Sequence, residues 1–181
     1  MNNKSFYTIA GILVVASIAF WAWMFQGNDT PETQTSPDAE TEAFYEPTVM
    51  EDSGERYDGD VSLTMYSSEG CTCCVKWADY LEDNGMEVTV EKVDNLNEIK
   101  EENGVPNRLS SCHTALVDGY VVEGHVPVDD IRRLLAEQPD AIGVAVPGMP
   151  PNSPGMDQPV DREYQSVLFT ESDLSVFNTH N

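Results

Sequence analysis

The chain has 181 residues, 40% of them hydrophobic, and carries 32 Asp and Glu against 9 Lys and Arg, a net charge of −23. Neutralising a phosphate backbone needs a basic surface, so nucleic-acid binding is excluded. The composition also excludes a chain that is disordered throughout or that crosses a membrane many times.

Lys4 is the only charged side chain before Asp29. Phe6 to Phe25 is an unbroken apolar run, long enough at ~1.5 Å per residue to cross a hydrocarbon core of ~30 Å. Residues 1–26 are therefore expected to be an N-terminal transmembrane helix, with Trp21 and Trp23 at the interface. A cleaved signal peptide is the alternative, but Trp-Met-Phe-Gln-Gly lacks the small residues of a cleavage site. A cation before the run and acids after it put the N-terminus in the cytoplasm and the rest of the chain on the extracytoplasmic side, periplasmic or extracellular. Residues 27–60 hold Pro, Thr and acids with little periodic hydrophobicity, and are expected to be a flexible acidic tether. The acidity resembles that of salt-adapted proteins; keeping a tethered domain soluble explains it equally well.

From Val61 to Tyr66 apolar and polar residues alternate, as in a half-buried strand. Cys74, Trp77, Ala78 and Leu81 share one face of a helix that Asn84-Gly85 stops. Met86 to Val93 reads as a second strand, and Asn95 to about Asn103 as a short helix with Leu96 and Ile99 inward. Thr114–Val117 and Tyr120–Val122 flank Asp118-Gly119, a strong hairpin signal. Val128, Ile131, Leu134 and Leu135 mark a last helix between Pro127 and Pro139. The acid pairs Glu101-Glu102 and Asp129-Asp130 read as solvated helix faces or partners of helix dipoles. Residues 158–181 read as an acidic polar tail, with His180 in solvent.

This order, β-α-β-α-β-β-α, predicts an α/β, thioredoxin-like domain over residues 61–157. In such a domain the loop after the first strand delivers a CxxC to a helix N-terminus. Here the loop carries Cys71 and Cys74 at that spacing, with Cys73 as a third sulfur between them. The position facing the CxxC, where redox enzymes of this fold carry a cis-proline, is filled by Cys112-His113.

Three chemistries compete for these residues. Structural disulfides need pairs, and adjacent Cys73 and Cys74 pair poorly with each other. A thiol-disulfide oxidoreductase needs only Cys71 as nucleophile and Cys74 as its resolving partner. A soft-metal site gathers three or four thiolates, which suit Cu(I) and zinc alike. The third option fits three thiols within four residues best, with Cys71, Cys73, Cys74 and Cys112 as ligands. His113 is as well explained by packing as by ligation, and His125, in Glu-Gly-His-Val-Pro, reads first as a loop or capping residue. Met149 and Met156 lie in a Pro/Gly-rich loop, where a thioether could close over a copper site or simply pack.

The run Gly70-Cys-Thr-Cys-Cys74, the stretch Leu109-Ser-Ser-Cys-His-Thr-Ala-Leu-Val-Asp-Gly-Tyr120, Glu123-Gly-His-Val-Pro127, and the segments Gly143–Met149 and Ser153–Met156 together resemble the CopG-type copper-resistance family of small exported metal-binding proteins. The resemblance covers roughly Val61 to Asp157. It implies a thioredoxin-like domain, copper held as Cu(I) by Cys71, Cys73, Cys74 and Cys112, and work alongside copper-handling proteins of the cell envelope; four such thiolates can bridge more than one ion. The long acidic tether, the anchor and the segment after Gln158 depart from the family pattern.

Overall fold

The computed structural model describes residues 48–156 and 158–181. The expected anchor and most of the tether lie outside the described residues, and no helix among the described residues is long and apolar enough to cross a membrane. The chain runs through β1 (Thr48–Val49), β2 (Val61–Ser67), α1 (Thr72–Asp83), β3 (Met86–Lys92), α2 (Leu96–Glu102), a 3₁₀ turn (Asn107–Leu109), β4 (His113–Val117), β5 (Tyr120–Glu123), α3 (Val128–Glu137), β6 (Gly143–Ala145), β7 (Tyr164–Phe169) and β8 (Leu174–His180). All strands join one sheet in the order β1-β8-β7-β6-β5-β4-β2-β3.

Strand alternation sorts the side chains onto two faces. Val61, Leu63, Met65, Ala115, Val117, Val122 and Val144 pack with Cys74, Trp77, Ala78 and Leu81 of α1 and Ile131, Leu134 and Leu135 of α3. On the other face Val121, Ala145 and Phe169 pack with Val105 and Leu109 of the connection into β4. β2 runs parallel to β3 and antiparallel to β4, with Ser67 opposite His113. β3 is an outer strand whose Glu87, Glu91 and Lys92 are exposed, and such charges discourage pairing with another chain.

Three expectations are corrected. Residues 158–181 are not a polar tail: β7 and β8 extend the sheet from β6, and Leu168, Phe169, Val176 and Phe177 are buried. The end of the presumed tether is likewise held. β1 pairs with β8, and buried Arg133 donates to the Glu51 carbonyl at 2.8 Å and the Phe177 carbonyl at 2.5 Å while its guanidinium lies 4.0 Å over the Phe177 ring. Asp130 and His180 are not solvated. Asp130 is fully buried and accepts hydrogen bonds from Ser166 Oγ at 2.6 Å, Asn178 Nδ2 at 2.8 Å and His180 Nε2 at 2.8 Å. A buried carboxylate must be satisfied this way, and here the polar residues of two strands that looked like tail meet the first turn of α3.

Burial opposes the ionisation of Asp130, but the bonds from His180, Asn178 and Ser166 outweigh it and hold the carboxyl below its ordinary 3.8. A carboxyl depressed by folding adds stability above its unfolded value and loses it as pH falls through the folded one. Acid unfolding should therefore set in below the ordinary carboxylate range. His180→Ala, which removes one of the three donors, should cost about 1–3 kcal/mol in denaturant titrations near neutral pH.

Candidate metal centre

The site forms where the end of β2 and the start of β4 lie side by side. Cys71 is the N-cap of α1 with extended backbone (φ −70°, ψ 93°), and no side chain caps the helix. Cys73 and Cys74 occupy its first turn, where unpaired amides carry partial positive charge. Cys112 directly precedes β4 and His113 opens it. The β2–β4 register closes the 38-residue gap between Cys74 and Cys112, so that Cys73 Sγ lies 3.6 Å from Cys112 Sγ and 3.6 Å from Cys71 Sγ. All four sulfurs fall within 4.8 Å of one another. Tetrahedral bonds of ~2.3 Å from sulfur to a metal place the sulfurs roughly 3.8 Å apart, so the 3.6 Å separations of Cys73 from Cys71 and from Cys112 suit a shared ion.

Cys71 and Cys74 are joined by a disulfide with Cα atoms 5.4 Å apart, while Cys73 and Cys112 are free thiols. Burial, with Cys73 adjacent, pushes the Cys112 thiol up to about 12. Four-thiolate ligation requires the bridge to be reduced first: two electrons and two protons give two thiols, which release those protons on binding the ion.

Nitrogen donors complete the opposite side. His125 Nε2 lies 3.0 Å and His113 Nδ1 3.3 Å from Cys112 Sγ, and the three form a second set within 4.8 Å. The Pro154 carbonyl, 2.8 Å from His125 Nδ1, can only accept, so that nitrogen carries the proton and Nε2 offers its lone pair toward the sulfur. His113 is fully buried, its ring 4.3 Å from that of Trp77, and its Nε2 has no hydrogen-bond partner among the described residues. Burial, then neighbouring His125 and Lys100, hold His113 well below its ordinary value, so the ring is neutral, the form that ligates metal. The Trp77 indole N–H donates to the Val126 carbonyl at 2.9 Å, clamping α1 to the segment that carries His125.

The loop bearing Pro154 packs on α1 at Gly155. With φ of +82°, a Cβ at Gly155 would meet Trp77 N at 2.7 Å and Cys73 O at 2.9 Å, so only glycine lets the loop approach. Met149 is 55% exposed and Met156 half-buried in this loop.

The structure thus brings together Cys71, Cys73, Cys74, Cys112 and His113, and adds His125, which sequence reasoning placed in a loop first. The signal was in the hairpin. The Asp118-Gly119 turn fixes Val117 opposite Tyr120 and Thr114 opposite Glu123, and the same count carried outward sets Cys112 opposite His125.

An α/β domain with a cysteine cluster capable of holding a metal ion is the class that this fold and site define. A family model described as a protein of unknown function, DUF411, matches residues 109–156. Two solved structures of copper resistance protein CopG are similar over about two thirds of the chain. Form 2 is 40% identical with a TM-score of 0.64, covering 68% of this chain and 100% of that one. Form 1 is 41% identical with a TM-score of 0.63, covering 67% and 98%. No curated protein matches the sequence. The chain belongs to the CopG-type copper-resistance family.

Alkylation of the native protein should label only Cys73 and, more slowly because its thiol is pushed up by burial, Cys112, and should label all four cysteines after reduction. Peptide mass spectrometry reads this directly, and label on Cys71 or Cys74 before reduction would contradict the bridge.

Proposed function

We propose that this protein binds copper as Cu(I) in the cell envelope, in a thioredoxin-like domain anchored to the membrane by residues 1–26 and facing the extracytoplasmic side. The observation that carries the reading is the gathering of four cysteine sulfurs within 4.8 Å in a chain of this family. Thiolates are the preferred donors of Cu(I), and the imidazoles of His113 and His125 extend the set toward a second ion. The order β5-β4-β2-β3, with β2 parallel to β3 and β4 antiparallel to both its neighbours, supports the thioredoxin-like reading, as does the Cys71–Cys74 pair at the start of α1.

Copper is the cargo. Cys73 and Cys112 meet it as thiols that give up their protons on binding, and Cys71 and Cys74 join once reduced. His125, oriented through Pro154, presents its lone pair without losing a proton. The domain is proposed to serve copper tolerance by holding the ion or passing it to other copper-handling proteins of the envelope.

The Cys71–Cys74 disulfide favours a second reading, a thiol-disulfide oxidoreductase with Cys71 as nucleophile and Cys74 as resolving thiol. The two separate cleanly. The full chain, reduced without air, loaded with Cu(I) and desalted against a chelator, should keep at least one copper ion by elemental analysis. Cys112→Ser should lose most of it, and the oxidised protein should hold less than the reduced. A parent that keeps none, while Cys73→Ser and Cys112→Ser retain disulfide exchange that Cys71→Ser abolishes, would establish the oxidoreductase instead.

A further inference from the structure

Next to the donor set lies a buried ion pair that copper ligation does not use. Lys100 of α2 is 5% exposed, and its ammonium meets the carboxylate of Glu123 on β5, which is 0% exposed. Taking a charge out of water is costly unless partners satisfy it, and here every partner is in place. Lys100 Nζ donates to Thr114 Oγ1 at 2.9 Å, and that hydroxyl donates to Glu123 Oε2 at 2.7 Å. Glu123 Oε1 accepts the backbone N–H of Ser111 at 2.6 Å.

All of these bonds converge on one stretch of chain. Ser111 precedes Cys112 and Thr114 follows His113, so the carboxylate grips the backbone on one side of the Cys112-His113 pair and a side chain on the other. Its own strand is fixed in turn, because Val146 N–H donates to the Glu123 carbonyl at 2.9 Å and Gly124 N–H to the His113 carbonyl at 3.0 Å. Gly124, at φ +72°, lets Ser111 come close: a Cβ there would stand 2.5 Å from Ser111 Oγ. A leucine in place of Glu123 would fill similar space, but it could not accept the Ser111 N–H.

We propose that Lys100 and Glu123 are positioning residues of the metal site: the buried carboxylate, neutralised by Lys100, fixes the Ser110–Ser111 peptide, directly before Cys112, so that Cys112 Sγ reaches Cys73 on one side and His125 on the other. This rests on the reading that the cluster binds Cu(I). The pair touches no donor sulfur; it acts through the backbone, setting the 3.6 Å and 3.0 Å separations around Cys112.

The test compares two double variants of the full chain that remove the same two charges. Lys100→Met with Glu123→Gln keeps an oxygen for the Ser111 N–H; Lys100→Met with Glu123→Leu does not. Both are checked for folding by circular dichroism and melting. The Leu double should hold Cu(I) at least tenfold more weakly against a competing chelator, with an altered Cu(I)–thiolate absorption band, while the Gln double stays within about threefold of the parent. Ser111 amide hydrogen exchange should be slow in the parent and the Gln double, and at least tenfold faster in the Leu double. Two folded doubles with the parent's affinity and spectrum would overturn the proposal. If the Leu double does not fold, the parent decides, because a freely exchanging Ser111 amide overturns the proposal without any variant. A parent that holds no copper would instead overturn the metal reading beneath it.

Discussion

The antiparallel pairing of β2 with β4 is the constraint on which the site depends. Setting Ser67 opposite His113 brings the loop that opens α1 beside the residue that opens β4, and so joins cysteines far apart in the chain. Because side chains alternate along a strand, a slip of one residue would turn Ala115 and Val117 out of the core and carry Cys112 away from Cys73. Burial of those side chains against α1 and α3 enforces the register, so the packing that stabilises the domain also sets the sulfur geometry.

The part of the fold legible in the sequence is the part built from regular signals. β2, α1, β3, the hairpin and α3 each show a clean period, a cap or a turn, and they fall where the pattern puts them. β6 is only three residues long, and β7 and β8 mix apolar residues with Ser, Asn and His that belong in a solvated segment by composition. Their meaning lies in Asp130, whose buried carboxylate needs donors and receives them from those strands. Tertiary demand, not local propensity, makes that region a sheet. Lys100 is a similar case: the pattern of the short helix puts Leu96 and Ile99 inward, whereas both are half-buried and the lysine between helix and sheet is the buried one.

Of the site, the sulfur set was legible because closely spaced cysteines carry chemistry by type and spacing alone. The nitrogen set was less so, since a histidine in a Gly-His-Val-Pro context has many uses, and only the hairpin register connects His125 to Cys112. The charge balance gains a spatial reading as well. Two of the chain's few cations, Lys100 and Arg133, are drawn inside to satisfy Glu123, Glu137 and backbone carbonyls, which leaves the outer surface poorer still in positive charge.

The two donor sets also differ in how far along the chain their members stand. Cys112, His113 and His125 belong to one hairpin and close a short loop, an event of roughly 1–10 µs in isolated hairpins. Bringing Cys73 to Cys112 closes a far longer loop, which holds α1, β3 and α2, and loop-closure cost rises with that length. The imidazole side of the pocket is thus a short-range product of the chain, and the sulfur side a long-range one. One pocket is assembled from a closure of low entropic cost and another of higher cost.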